Sequence, residues 1–170
     1  MKLSSHDEYG LRCLLQVARQ GADGSATIPE ISRREGISPA YVGKLMRILR
    51  QGGFVKSARG KAGGYTLALP PERIRVGDAL TVLGGRIYED DFCRRHSGCE
   101  ATCPHSTDCS IRSLWRSLQG AIDGVLRTTT IRDLFLPESQ VLTNFQNIDN
   151  VAVKRRSRIR ASGPRAISRP

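Results

Sequence analysis

Two short helices joined by a glycine turn, each opening on its own capping signal, constrain this chain more than any other feature in it. Thr27 stands three residues before Glu30, the spacing of a capping box, and Pro29 is tolerated in the first turn because that turn leaves its N–H groups unbonded. Gly36 breaks this helix. The segment Ile37-Ser38-Pro39 starts the next one, with Ser38 as cap, Pro39 at the first helical position and Ile37 placed to pack onto Val42. That second helix runs to about Gln51, and its buried stripe is Val42, Leu45, Met46 and Leu49. Upstream, Leu11, Leu14, Leu15 and Ala18 recur at helical spacing between Asp7 and Gln20, and Gly21 and Gly24 end the run. Downstream, Gly52-Gly53 stops the helix. Phe54-Val55-Lys56-Ser57-Ala58-Arg59 and Tyr65-Thr66-Leu67-Ala68-Leu69 then read as two strands around Gly60-Lys61-Ala62-Gly63-Gly64.

This order of elements predicts a mostly α fold with a small β-hairpin wing: a winged helix-turn-helix domain. Pro70-Pro71 closes the wing, and a short helix follows from Val76 to Leu83, ending at Gly84-Gly85. From Ser110 onward, Ile111, Leu114, Trp115, Leu118, Ile122, Val125 and Leu126 keep helical spacing over more apolar surface than a small domain covers alone. We read this run as a dimerisation helix; packing against its own domain is the alternative. The expected organisation is a DNA-binding domain over 1–85, a cysteine-rich loop over 86–109, the dimerisation helix with a short following segment over 110–136, and a polar then basic disordered tail over 137–170.

Charge supports a polyanion partner. Of the formal +11, Lys154, Arg155, Arg156, Arg158, Arg160, Arg165 and Arg169 supply seven, and residues 151–170 hold no acidic side chain. Such a tail binds any polyanion, so the more selective signal is the second helix of the pair. Ser38, Ala40, Tyr41, Gly43, Lys44 and Arg47 point away from its buried stripe: small residues that permit close approach, two cations that reach guanine acceptors or phosphates, and a phenol that bonds phosphate. Lys56, Arg59 and Lys61 on the wing flank that face, with Arg59 suited to a minor groove. Double-stranded DNA with a palindromic operator is the expected partner of a homodimer. The N-terminus carries no apolar signal segment, and no run approaches the length of a membrane span, so a cytoplasmic location is expected.

Four of the five cysteines crowd together as Cys93-x5-Cys99-x3-Cys103-x5-Cys109, immediately before the long helix. In a reducing compartment such bunching points to a shared cation or redox chemistry rather than structural disulfides. Zinc would suit four thiolates, although only Cys99-x3-Cys103 has the usual paired spacing. A thiol-disulfide switch is a third reading, favoured by Arg94 and Arg95. His96 and His105 lie in the loop and are read as solvated, and Cys13, within the first apolar stripe, as a small buried hydrophobe. The glycine-rich segment lies between strands rather than before a helix, so it is no phosphate-cradling loop, and no catalytic constellation accompanies it; the chain is not expected to be an enzyme. A metal-dependent protein-interaction module without specific DNA binding is the alternative of another class.

The chain also resembles the IscR/NsrR-type winged helix-turn-helix transcriptional regulators, the Rrf-two family. The likeness covers about residues 1–136 and is carried by Met1-Lys2-Leu3-Ser4, Glu8-Tyr9-Gly10-Leu11-Arg12, Ile37-Ser38-Pro39-Ala40-Tyr41, Arg59-Gly60-Lys61-Ala62-Gly63-Gly64-Tyr65, Cys109-Ser110-Ile111-Arg112-Ser113-Leu114-Trp115 and Thr130-Ile131-Arg132-Asp133-Leu134. The resemblance implies a homodimeric transcription factor, usually a repressor, whose loop cysteines hold a [2Fe-2S] or [4Fe-4S] cluster. Cys93, Cys99 and Cys109 match the three family cysteines. The stretch between Cys99 and Cys109 is longer than in the best-known members and contains the additional Cys103. The histidine ligand of one branch is replaced by Arg112. Glu8 matches the carboxylate that another branch takes from the partner subunit, while Cys103 would complete a four-thiolate set within one chain.

Overall fold

The structure, a computed structural model, describes residues 4–21, 24–58, 63–86, 88–89 and 91–143. The basic tail, and Arg59 and Lys61 of the wing, lie outside the described residues.

Helix α1 (Ser5–Ala18) begins two residues before the expected Asp7, because Ser4 and Asp7 form a capping box: the Ser4 side chain accepts from the Asp7 N–H while Asp7 reaches back to the Ser4 N–H. Helices α2 (Ile28–Glu35) and α3 (Pro39–Gln51) follow the reading closely. Thr27 and Glu30 complete their reciprocal box, and these hydrogen bonds hold the Glu30 carboxyl below its usual range. Gly36 ends α2 at φ +66°, a left-handed conformation in which a side chain would be strained. Ser38 caps α3 by accepting from the Tyr41 N–H.

Strands β1 (Val55–Ala58) and β2 (Gly64–Leu67) pair antiparallel, with Val55 opposite Leu67 and Ala58 opposite Gly64. The hairpin is tied to the segment before α2 by reciprocal main-chain bonds between Ala26 and Tyr65, at 3.0 and 2.8 Å. The approach explains the glycine at 64, where a Cβ would sit 2.8 Å from the Ala26 carbonyl oxygen.

The core sits where α1, α2, α3 and α4 (Val76–Leu83) meet, filled by Leu14, Val17, Ile31, Val42, Leu45, Met46 and Leu49 with Ile74 and Ala79. Helix α5 (Phe92–Arg95) is a single turn inside the cysteine segment, which sequence reading takes wholly as loop; its main chain closes by bonds from Arg94 and Arg95 to the Asp91 carbonyl.

Helix α6 (Ser110–Thr128) divides into two halves. Its C-terminal end is fastened to the start of α4: Val76 N–H donates to the Thr129 carbonyl at 2.9 Å, Ile131 N–H donates to the Ile74 carbonyl at 2.9 Å, and Gly77 lets Leu126 approach. Its N-terminal half exposes Ile111 (62%), Leu114 (53%), Trp115 (40%) and Leu118 (39%), an apolar row that nothing in the chain covers among the described residues. Of the two sequence readings of this helix, packing on its own domain holds for the far end, while the near end leaves its apolar row bare. The chain divides into units Met1–Leu134 and Phe135–Pro170. No helix of the described residues is long and apolar enough to cross a membrane.

Candidate nucleic-acid interface and thiol loop

Helix α3 presents Ser38, Ala40, Lys44 and Arg47 to solvent, while Val42, Leu45, Met46 and Leu49 on its other side are fully buried. One face is thus committed to the core, and the cationic face is left for a ligand. Tyr41 and Gly43 are half-buried. The Tyr41 hydroxyl lies 3.2 Å from His6 Nδ1, and its ring meets those of His6 and Tyr9 edge-on, so α1 orients this phenol rather than leaving it to swing freely. Gly43 faces Ile28 of α2, whose Cδ1 would lie 3.7 Å from an added Cβ. Lys56 is exposed on β1.

A polar clasp joins α1 to the end of α2. Arg12 Nε donates to Glu35 Oε2 at 2.6 Å and its Nη2 to the Glu35 carbonyl, and Gln16 bonds the same carboxylate. Spacing along the chain gives no sign of this clasp, because its members lie 23 and 19 residues apart.

All five thiols are free. Cys99 is exposed, whereas Cys93, Cys103 and Cys109 are intermediate. The donor set is the kind that binds a thiophilic metal or an iron-sulfur centre: thiols on a loop, outside the core, with no competing disulfide. They are not drawn together here, since among the described residues no group of three or more His, Cys, Asp or Glu side chains is arranged to hold a metal ion. Two of them are instead engaged locally. Cys109 is the N-cap of α6, its sulfur accepting from the Arg112 N–H at 3.3 Å, and Cys93 Sγ lies 3.3 Å from the Tyr88 hydroxyl. That hydrogen bond, with burial, holds the Tyr88 phenol above its usual range. His96 bonds the Phe92 carbonyl through Nδ1 at 2.9 Å and stacks on the Phe92 ring; His105 and Glu8 are exposed.

Cys13 behaves as the sequence reading has it. It is fully buried in α1, and burial pushes its thiol up to about 12. A folded pKa above the unfolded one favours the neutral thiol, so alkylation of the native, reduced, metal-free chain near pH 8 is expected to modify the four loop cysteines and spare Cys13, which should react only after denaturant is added. Counting labels by mass with and without urea checks this; a fifth label on the native chain would contradict it.

A helix pair with an exposed cationic second helix and an adjoining hairpin is the architecture of a DNA-binding winged helix. Comparison with known proteins settles which one. The family described as Rrf2, iron-dependent transcriptional regulator, matches residues 3–136. The chain belongs to the Rrf2 family of transcriptional regulators. Among its relatives, the protein rrf2 of Nitratidesulfovibrio vulgaris is 36% identical over 148 residues, covering 87% of this chain and 96% of the relative. The HTH-type transcriptional regulator IscR of Aliivibrio salmonicida is 34% identical, covering 88% and 86%. Of solved structures, CymR, the global cysteine regulator of B. subtilis, superposes with a TM-score of 0.63 at 32% identity over 79% of this chain and 95% of its own; IscR of T. potens gives 0.63 at 30% over 79% and 86%. As an Rrf2 protein the chain is a winged-helix, DNA-binding transcriptional regulator, and its relatives are regulators rather than enzymes.

Proposed function

We propose that this Rrf2 regulator acts as a homodimeric repressor whose grip on a palindromic operator responds to an iron-sulfur centre held by Cys93, Cys99, Cys103 and Cys109. The observation that carries this reading is the double position of Cys109: it is the last of the four loop thiols and also the cap of α6, the helix whose near half leaves an apolar row for a second copy. Recruiting its sulfur as a ligand turns the acceptor of the Arg112 N–H into a metal-bound thiolate, so a change in the loop acts directly on the first turn of α6. Cys103 supplies a fourth thiolate within the chain where Arg112 replaces the histidine of one branch, and Glu8 of a partner subunit is the alternative fourth ligand. The centre, when bound, supplies sensitivity to oxidant, nitric oxide or iron supply. DNA is held by Ser38, Ala40, Tyr41, Gly43, Lys44 and Arg47 of α3 and by Lys56, Arg59 and Lys61 of the wing, with half-sites about one helical turn apart.

The test is anaerobic purification followed by visible absorption, by iron, sulfide and zinc per chain, and by footprinting of the loaded and stripped forms. Visible bands with matching iron and sulfide, and a footprint that differs between the two forms, are expected. Zinc in place of iron, or titratable thiols with no metal, would transfer the response to a zinc site or a disulfide switch on the same scaffold. Equal affinity for all sequences would make the protein a metal-dependent interaction module.

A further inference from the structure

Gln119 is the single buried residue that α6 shows among its nineteen. Both ends of its amide are used: Oε1 accepts from the Tyr88 main-chain N–H at 2.8 Å, and Nε2 donates to Asp123 Oδ1 at 2.8 Å. Asp123 in turn pairs with Arg86, so the segment leading into the loop is pinned to α6 at two places. Tyr88 is 7% exposed, and its hydroxyl reaches Cys93 Sγ. Its ring lies 5.3 Å from that of Phe92, on the same helical turn as Cys93. One buried side chain therefore touches both a loop thiol and, through its own backbone, the only buried polar group of the long helix.

We propose that Tyr88 is the positioning residue that seats Cys93 and, through Gln119, couples the state of that sulfur to α6. The inference rests on the reading of the loop thiols as the responsive site. The unligated sulfur can donate to or accept from the phenol, whereas a sulfur engaged as a ligand can only accept, so the phenol must then be the donor. Engaging or releasing the sulfur therefore changes how firmly Tyr88 is held. Its N–H carries that change to Gln119 without any further moving part. Coupling between two places is reciprocal, so loosening either end must loosen the other.

Residue-resolved amide hydrogen exchange on the full-length chain, reduced and stripped of metal by chelator, tests this. Gln119→Ala sets the exchange rate of the Tyr88 amide when its acceptor is gone. Tyr88→Phe and Cys93→Ala are each expected to speed exchange at Tyr88 and around Gln119 by about threefold to tenfold, the scale of one lost hydrogen bond. The double variant should match the larger single effect, because both remove the same contact. Cys93→Ser keeps an atom that bonds the phenol and should restore protection, and Cys99→Ala, which touches neither Tyr88 nor Gln119, should leave the exchange rate at Tyr88 of the stripped chain as it is. Unchanged exchange at Tyr88 in Cys93→Ala, equal loss in Cys93→Ser, or equal loss in Cys99→Ala overturns the proposal. Iron and sulfide are measured on the same preparation before stripping: their absence together with coupled exchange defeats the iron-sulfur reading and leaves the Tyr88 link standing, and their presence with uncoupled exchange does the reverse.

Discussion

Leu45→Ala is expected to remove about 2–5 kcal/mol of unfolding free energy. Leu45 is fully buried on α3, the helix that meets α1, α2, α4 and β1, so the cavity left by the lost methyl groups is walled by several elements that cannot all collapse onto it. Domains of this size are stable by only about 5–15 kcal/mol, which makes the loss a large share of the total. Urea denaturation should show the midpoint fall with little change in slope. A loss below about 1 kcal/mol would mean that α3 is less firmly packed than its burial implies. Because the same helix carries the cationic face, the variant should also lose DNA affinity under conditions that leave part of it unfolded, and regain it when the folded fraction is restored by cooling.

Arg47→Ala and Lys44→Ala should separate the two kinds of contact made by that face. Both side chains are exposed on α3 and lie one turn or less apart, facing away from the core stripe. A cation that pairs with a base edge contributes about 1–3 kcal/mol of discrimination, roughly fivefold to 150-fold, and its loss relaxes preference at one operator position. A cation that meets phosphate weakens all sequences alike and lowers the salt slope by about one per contact. The planar guanidinium of Arg47 suits bidentate pairing, so it is the residue for which the base-specific outcome is expected. Affinities measured across salt concentrations for the operator and for single-position variants would decide it; no change with either substitution would remove this face of α3 from the interface.

The helix-turn-helix was legible because its signals are local. A capping threonine with its glutamate, a serine with its proline and a glycine between them act within a few residues of themselves, and the structure keeps all of them. The same rule was available at Ser4 and Asp7, where the box starts α1 two residues earlier than apolar spacing alone suggests. The short turn α5 was not legible, since four residues are too few for a periodic signal.

Leu14 and Ala18 of α1 are buried as its apolar spacing predicts, whereas Leu11 and Leu15 are half-buried and Val17 faces the core instead. What the sequence by itself determined is the order and type of the main elements other than α5, the buried stripe of α3, the cationic face opposite it, and the grouping of four thiols ahead of α6. These follow from periodicity, caps and composition, which act along the chain. What only the tertiary structure decided is which distant groups meet. Glu35 is clasped by Arg12 and Gln16, Tyr41 is oriented by His6, the far half of α6 is fastened to the start of α4 while its near half stays bare, and Tyr88 bridges Cys93 and Gln119. These contacts depend on how separate elements pack, and a hydrogen bond between residues 31 apart leaves no periodic trace in either neighbourhood.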